Sequence, residues 1–329
     1  MSVSVWIYLI AMIVVGLLAC VLPIARMARR PWGELIWAGA WALGLLLTFF
    51  IIMAAGWLGN AEEHEAVTCA GAGSISLGAW FADAERACGG SAAVFRYCER
   101  FRSPRLCQPL NTFSDLGFVA AGFWIMWLVQ SGRLTHASSA LPNPMSGRSA
   151  ISWTYGAIVI FMGPGSMLLH ASFHHAEGFL DAFSVVLWAG FGFAYTTWRL
   201  GYQAGLRPWG WQILLFWGPW ALLTAGFIIT ELLASPTSRA VTIYEVIAGG
   251  LFMVMEILFL CVFWGRRNVR LTILSLMLIS LAIVLWFPSG AIAHDFCSPD
   301  CADQGHALFH IMAAIATLTA FASFQSERE

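Results

Sequence analysis

Two pairs of polar residues, each four positions apart, interrupt long apolar stretches of the sequence. Ser166 and His170 lie in "GPGSMLLH", and His306 and His310 lie in "GHALFH". Residues i and i+4 share one face of a helix, so each pair projects in a single direction. Asp181 follows His170 by eleven positions, in "GFLDAF". We take these five residues as the candidates for chemistry.

Two histidines one helical turn apart make a suitable metal chelate, and a histidine from another helix completes a three-ligand set. We therefore predict that His170, His306 and His310 bind zinc. Such a site keeps a position for water, whose pKa zinc lowers to ~7. Asp181 is then predicted to act as general acid or base, and Ser166 to hydrogen-bond a developing oxyanion.

Two other interpretations of these histidines stay open at this point. They can be structural hydrogen-bonding residues, or they can ligate haem iron. The close i, i+4 spacing favours a small ion over a porphyrin. His174 and His175 lie just after His170 and are predicted at the rim of the site rather than as ligands.

Carboxylates inside apolar stretches are functional candidates by default. Glu256 lies near the middle of such a stretch, and we predict that it makes a structural hydrogen bond to a neighbouring helix. Glu231 and Glu245 lie near the ends of their stretches. We expect water to solvate both of them there.

The composition excludes a soluble protein. Of 329 residues, 59% are hydrophobic and 11% are charged, with a mean hydropathy of +0.74, whereas a soluble domain is about a quarter charged. No basic run indicates a nucleic-acid partner.

A membrane-spanning helix needs ~20 apolar residues. By that measure the sequence predicts an all-α polytopic membrane protein with spans near 4–25, 34–57, 111–130, 151–172, 179–200, 209–231, 241–264, 271–292 and 304–324.

Arginines and cysteines predict the same sidedness. Short loops rich in arginine mark the cytoplasmic face, and these loops alternate along the chain, which places the N-terminus outside and the C-terminus in the cytoplasm. Six cysteines fall in loops on the other face, which favours disulfides in an oxidising compartment, with fifteen pairings open. The basic residues are all arginine, typical of a GC-rich bacterium, so we expect a bacterial inner membrane. The six cysteines are Cys69, Cys88, Cys98, Cys107, Cys297 and Cys301.

The chain divides into three predicted parts. Residues 1–57 form two extra transmembrane helices, 58–110 an extracytoplasmic Cys-containing cap loop, and 111–329 a core of seven transmembrane helices. The candidate site residues all fall at one depth, near the extracytoplasmic side of that core.

The order of the motifs resembles the alkaline ceramidase family. That order is S-x3-H, then Asp eleven residues later, then H-x3-H in the last span. It is shared more broadly by the superfamily of seven-span hydrolase-like proteins that includes adiponectin receptors and Per1-like GPI-remodelling lipases. "NTFSDLGF" (111–118) is similar to the N-T-x-S-N opening of the first ceramidase span, and "RYCER" (96–100) to the W-C-E segment before it. The resemblance covers about residues 95–324.

The resemblance implies a seven-helix ceramidase-like core with zinc on His170, His306 and His310 and with Ser166 and Asp181 beside the zinc-bound water. It also implies a disulfide between Cys98 and Cys297. The pairs Cys107–Cys301 and Cys69–Cys88 are consistent with that bridge.

Alkaline ceramidases of eukaryotes also bind calcium through an acidic segment before the first span. Glu99 and Asn111 match parts of that segment, but Gln108 stands where a glutamate is expected. Arg100, Arg102 and Arg105 make the segment basic, which does not favour calcium.

The function implied is a zinc-dependent intramembrane amidohydrolase. It would cleave the N-acyl amide of ceramide-like sphingolipids to a sphingoid base and a fatty acid, with the membrane lipid as its partner. One alternative is a zinc-dependent lipid esterase or phospholipase of the Per1-like type. Another is a non-catalytic lipid-binding receptor with a structural zinc.

Overall fold

The apolar stretches of the core fold into helices. A computed structural model describes residue 99 and residues 108–131, 143–146, 149–172, 175–233, 240–286 and 305–328. All the elements in this part of the chain are helical. They are α1 (Pro109–Ser114), α2 (Leu116–Ser131), α3 (Ala150–Ser172), α4 (His175–Gln203), α5 (Trp209–Leu233), α6 (Ala240–Val262), α7 (Val269–Trp286) and α8 (Gly305–Gln325).

Seven segments of this part of the chain are long and apolar enough to cross a membrane, with α1 and α2 counting as one segment, Pro109–Gln130. The predicted seven-helix membrane core is thereby confirmed as a set of seven apolar helices. The predicted bounds agree within three residues wherever the ends are described. Residues 287–292 of the eighth predicted span lie outside the described residues, which end there at Trp286. The spans 4–25 and 34–57, nearly all of the loop 58–110 and the six loop cysteines lie outside the described residues. Their predictions, disulfides included, remain predictions.

Helix α3 lies at the centre of the bundle. In its membrane span 94% of the residues are buried, against 18% in α5 and 22% in each of α6 and α7. It packs between α2 and α4, while α4 also contacts α5 and α6, and α8 contacts α2 and α7. Helices α6 and α7 scarcely touch each other. The outward faces of α5, α6 and α7 are apolar, as a lipid-facing surface must be; examples are Leu222, Leu233, Val254 and Met277.

Two glycines in "GPGS" let neighbouring helices approach α3 closely. A Cβ at Gly163 would lie 2.5 Å from Cγ2 of Val119, on α2. A Cβ at Gly165 would lie 3.1 Å from the backbone oxygen of Leu180, on α4. The two glycines therefore bring α2 and α4 against α3 beside Ser166.

Four charged side chains are buried together at one end of the bundle. Glu327 accepts hydrogen bonds from Nε of Arg199 at 2.7 Å and from Nε of Arg267 at 3.0 Å. Glu256 pairs with Nη1 of Arg267 at 2.8 Å and accepts a hydrogen bond from Thr196 on α4. Glu256 thus makes the predicted bond to a neighbouring helix, together with an ion pair that the sequence did not reveal.

Arg267 lies in the turn between α6 and α7. Burial by itself lowers the pKa of Arg267, but the adjacent carboxylates of Glu256 and Glu327 more than offset this and raise it above its ordinary value. The guanidinium is therefore charged, and it joins α6 to the residues that follow α8. We call this end of the bundle, where α8 ends, the arginine end.

The C-terminus of α8 is capped from another segment at the arginine end. Nδ2 of Asn143 lies 2.6 Å from the backbone oxygen of Phe324, 3.2 Å from that of Gln325 and 3.3 Å from that of Glu327. The last carbonyls of a helix have no partner inside the helix, so a side-chain donor satisfies them. Tyr195 donates a hydrogen bond to Oδ1 of Asn143, which fixes the amide orientation. The end of α8 is thus tied to α4.

Candidate metal centre

Three buried histidines meet at the opposite end of the bundle, which we call the histidine end. His170 lies in the last turn of α3, and His306 and His310 lie in the first two turns of α8. One ligand atom from each lies within 4.8 Å of the others, and their exposed fractions are 0%, 5% and 1%. The structure therefore brings together the three histidines that the sequence singled out. They are close enough to hold a metal ion.

The spacing of the imidazoles fits a single small ion. Nε2 of His170 lies 3.2 Å from Nε2 of His306. Two nitrogens bound to one tetrahedral zinc ion at 2.0–2.1 Å lie about 3.3 Å apart. Imidazole ligands also suit copper, iron and nickel. The centroid of the His310 ring lies 4.5 Å from that of His306 and 5.0 Å from that of His170. Rings this close leave no room for a porphyrin between them.

Gln108 fixes the tautomer of His170. Nε2 of Gln108 donates to the backbone oxygen of Glu99 at 2.6 Å, so its other side-chain atom must be the acceptor. That oxygen, Oε1, lies 3.1 Å from Nδ1 of His170 and also accepts from Nδ2 of Asn111. The proton of a neutral His170 therefore lies on Nδ1. Its Nε2 keeps a lone pair, directed at His306.

His310 is oriented in the same way by the end of α1. Ser114 donates its hydroxyl proton to the backbone oxygen of Asn111 at 2.7 Å, which leaves Oγ to accept from Nδ1 of His310 at 2.8 Å. The backbone oxygen of Asn111 and Oδ1 of Asp115 each lie 3.2 Å from the same nitrogen. A proton on Nδ1 suits all three neighbours, so Nε2 of His310 is available for a ligand bond. Such outer contacts are what orient metal-binding histidines.

The residues before α1 hold it against the end of α3. Both carboxylate oxygens of Glu99, which is buried, accept backbone N–H groups, one from Leu110 and one from Asn111. The backbone N–H of Gln108 donates to the carbonyl of His170 at 3.0 Å. The Glu99 carboxylate therefore satisfies two backbone N–H groups in the first turn of α1 that have no partner within the helix. Within the described part of the chain, the three histidines form the one group of three or more His, Cys, Asp or Glu side chains that could hold a metal ion.

Ser166, Asp181, His306 and His310 line a single cavity of about 250 Å³. His170 does not line the cavity and is fully buried, with its Nε2 3.2 Å from Nε2 of His306. Ser166 lies one turn before His170 on α3, and Asp181 lies in the second turn of α4. Four of the five predicted site residues therefore share one space, and the fifth touches it through His306.

Asp115 is a second carboxylate at the site, and sequence reasoning missed it. It is fully buried, lies beside the Ser166 side chain, and has its Oδ1 3.2 Å from Nδ1 of His310. Its position is the last of "NTFSD", where the resembling motif carries asparagine. An ionisable residue opening an apolar stretch was the signal that could have identified it.

Two further residues contribute to the site. Glu245 lines the same cavity as Asp181, and its solvation near the membrane surface stays a prediction. Gln108 was treated only as a missing calcium ligand, yet it is the partner of His170. His175 begins α4. His174 lies outside the described residues, so the prediction that both are rim residues remains a prediction.

The rest of the cavity wall is apolar and runs between α6 and α7. Both helices supply small and branched side chains to it, and Val246 on α6 is 49% exposed, so the space reaches the outer surface of the bundle. The wall on these two helices consists of Val246, Gly249, Gly250 and Met253 from α6 with Ile279, Ala282, Ile283 and Trp286 from α7.

Comparison with known proteins assigns this chain to no family. No protein-family model, curated protein or solved structure matches this chain.

Proposed function

We propose that this protein is a zinc-dependent intramembrane amidohydrolase that cleaves the N-acyl amide of a ceramide-like lipid to a sphingoid base and a fatty acid. The observation that carries the proposal is the group of three buried histidines at the polar end of an apolar cavity. Two of these histidines have their Nδ1 atoms occupied by Gln108 and by Ser114, which leaves Nε2 for a metal.

Zinc is the proposed ion because three histidines are the protein ligands of many catalytic zinc sites. His170, His306 and His310 would hold it. When bound, zinc supplies a Lewis acid for the amide carbonyl and lowers the pKa of a water molecule toward neutrality.

The other polar residues of the cavity have separate proposed roles. The hydroxyl of Ser166 donates a hydrogen bond to the amide oxygen as negative charge develops on it. Asp181 takes a proton from the attacking water and transfers it to the amide nitrogen as the C–N bond breaks, which releases a carboxylic acid and an amine. The acid then gives up its proton, so that the final products are a carboxylate and an ammonium. The proposed proton path needs Asp181 inside the cavity, where the structure has it.

The wall between α6 and α7 supports a lipid substrate. An acyl chain that reaches the cavity through this apolar wall stays out of water, and binding then follows from the burial of chain methylenes. A bacterial inner membrane, with the C-terminus in the cytoplasm and the histidine end on the extracytoplasmic side, is part of the proposal. The arrangement of arginine-rich loops supports this orientation, and the use of arginine for every basic residue supports a bacterial source.

Metal analysis of the purified protein, with an absorption spectrum, tests the metal. We expect about one zinc per chain, lost in His306→Ala and kept in His64→Ala, a histidine outside the three. An intense Soret band without zinc would overturn the proposal in favour of haem.

Turnover of labelled ceramide against a labelled glycerophospholipid tests the reaction. We expect fatty acid from ceramide, abolished by a chelator and in Asp181→Asn, with the zinc content of that variant unchanged. Release only from the ester lipid would establish the Per1-like alternative instead. If zinc is present and neither lipid is cleaved, the lipid-binding receptor with a structural zinc replaces the enzyme.

A further inference from the structure

The cavity beside the histidines has a definite depth. Among its described lining residues, Trp188 follows Asp181 by seven positions on α4, and Thr317 follows His310 by seven positions on α8. Both helices begin at the histidine end, so Trp188 and Thr317 lie at the deep end of the lining. At 1.5 Å per residue, the polar end and this deep end are about 10 Å apart along the helices.

Two hydrogen bonds hold Trp188 in place at the deep end. Its Nε1 donates to the hydroxyl of Tyr155 on α3 at 3.0 Å, and that hydroxyl donates to the backbone oxygen of Thr317 on α8 at 2.8 Å. The indole N–H is the one polar group of a tryptophan side chain, and here it has a partner. Three helices therefore fix the position of Trp188, and its ring adds apolar surface to the cavity.

Buried aromatic rings lie beyond Trp188, on the side of the arginine end. Tyr155, Phe252 and Phe321 are each at most 2% exposed, and none of them lines the cavity. The Phe252 ring stands at 90° to the indole of Trp188 with 5.4 Å between centroids, and Phe321 stacks on Tyr155 at 5.6 Å. A Cβ at Gly192 would lie 2.6 Å from a ring carbon of Phe252, so these rings pack closely against α4. We call Tyr155, Trp188, Phe252 and Phe321 the aromatic floor.

The aromatic floor separates the cavity from the buried charges of the arginine end. The ring of Phe324 lies 6.3 Å from that of Phe252, and the guanidinium carbon of Arg267 lies 5.0 Å from the centroid of Phe324. An acyl chain that displaced these rings would reach a buried ion-pair cluster, and its methylenes cannot replace hydrogen bonds or charges there. The end of an acyl chain is therefore expected to stop at Trp188.

We propose that Trp188 is a specificity-determining residue that sets the length of acyl chain above which binding becomes less favourable. The ligand class is accordingly a lipid whose acyl chain spans about 10 Å between the histidines and the aromatic floor. This inference rests on the proposed function for the placement of the polar end of the lipid at the histidines. It goes beyond that function because it assigns a residue to the far end of the chain.

Binding of single-chain alcohols to the full-length protein tests the inference. The probes are labelled straight-chain primary alcohols from hexanol to octadecanol in detergent micelles, because ceramide has two chains and an alcohol is not hydrolysed. Each variant is compared with the wild type for the same alcohol, which cancels the partition of that alcohol into the micelle. Weak binding of every alcohol to the wild type, with no dependence on length, would overturn the proposal.

Trp188→Ala deepens the cavity by removing the indole. The shortest alcohols should bind this variant and the wild type equally well, because their chains do not reach position 188. The longest alcohols should bind the variant roughly tenfold more tightly, since the wild type must accommodate methylenes for which a packed site has no room. Equal dissociation constants for all lengths would show that Trp188 does not limit the chain.

Ala313→Leu should have the opposite effect. Ala313 lines the cavity one turn after His310, so a leucine there shortens the depth above the aromatic floor. We expect the length at which affinity stops rising to be shorter than in the wild type. This variant decides the question by itself if Trp188→Ala does not fold, and an unchanged length would then overturn the proposal.

Trp198→Ala is the matched control. Trp198 also lies on α4 and is buried to the same degree, with 8% exposed against 9% for Trp188, but it does not line the cavity. Its dissociation constants should equal those of the wild type at every chain length. Zinc content and the thermal unfolding midpoint of each variant show that a changed length dependence does not come from misfolding.

The outcomes keep the two proposals apart. If ceramide is hydrolysed but neither Trp188→Ala nor Ala313→Leu changes the length dependence, the assignment of Trp188 is wrong and the function stands. If no amide lipid is hydrolysed but both variants shift the length dependence as expected, the enzyme proposal fails and the assignment stands.

Discussion

Oε1 of Gln108 lies 3.1 Å from Nδ1 of His170, and the amide of Gln108 cannot be turned around, because its nitrogen donates to the backbone of Glu99. A residue before the first helix of the core thereby sets the proton position on a histidine at the end of α3. We expect Gln108→Leu to weaken zinc binding by roughly 10- to 100-fold, since the loss of an outer-shell partner has that effect. Competition with a chromophoric chelator measures the affinity.

Gln212→Leu is the matched control for this variant, because Gln212 lies on α5 and bonds only a nearby backbone oxygen, that of Arg207. Its zinc affinity should equal that of the wild type. Equal affinities in Gln108→Leu and the wild type would mean that Gln108 does not position His170.

Asp115 approaches the other oriented histidine, and its Oδ1 lies 3.2 Å from Nδ1 of His310. Asp115→Asn keeps an oxygen that can accept from His310, whereas Asp115→Leu removes it. We expect zinc affinity to fall by roughly 10- to 100-fold in the leucine variant and by less in the asparagine variant. The same competition assay measures both. Tight zinc binding in Asp115→Leu would show that Ser114 and the backbone oxygen of Asn111 hold His310 without it.

The cavity wall at Gly249 has room for a larger side chain on α6. A Cβ there meets no other atom within 4 Å, so Gly249→Phe should place its ring in the cavity. We expect kcat/KM for long-chain ceramide to fall by roughly tenfold or more, with zinc content unchanged. Gly210→Phe is the control, because Gly210 also has open space but lies outside the cavity. Unchanged kcat/KM in Gly249→Phe would show that the acyl chain does not pass this wall.

The arginine end should determine stability rather than chemistry. Arg267→Ala leaves Glu256 and Glu327 with one buried arginine partner fewer, and breaking a buried ion pair costs about 3–5 kcal/mol. We therefore expect a lower unfolding midpoint in denaturant, with zinc still bound by the folded fraction at one per chain. Arg266→Ala removes an exposed neighbouring charge and should leave the midpoint unchanged. A wild-type midpoint in Arg267→Ala would contradict a structural role for the cluster.

Helix positions were predictable because their cause is local. An apolar run of ~20 residues must satisfy its backbone internally in a bilayer, and a helix is how a single segment does so. The spans beginning at Pro109 and Ala150 were found within two residues for that reason. The spacing of Ser166 with His170 and of His306 with His310 is equally local, since it depends only on the helical repeat.

The surroundings of those residues were not predictable, because they come from segments far apart in the chain. Gln108 reaches His170 across 62 positions, and Ser114 reaches His310 across 196. Glu245 sits near the end of an apolar stretch, which made solvation the simpler prediction. That it also lines the cavity depends on the packing of α6.

The amino-acid sequence by itself therefore determined that this is a membrane-spanning helical protein and that Ser166, His170, His306 and His310 project in pairs from helix faces. Only the tertiary structure decided that α3 and α8 bring the three histidines within 4.8 Å, that Gln108 and Ser114 occupy the outer nitrogens of two of them, and that Asp115 lies against His310. The length of an apolar run and the helical repeat are properties of a single segment, so the sequence alone reveals them. The separation of two imidazole nitrogens depends instead on how separate helices pack against one another.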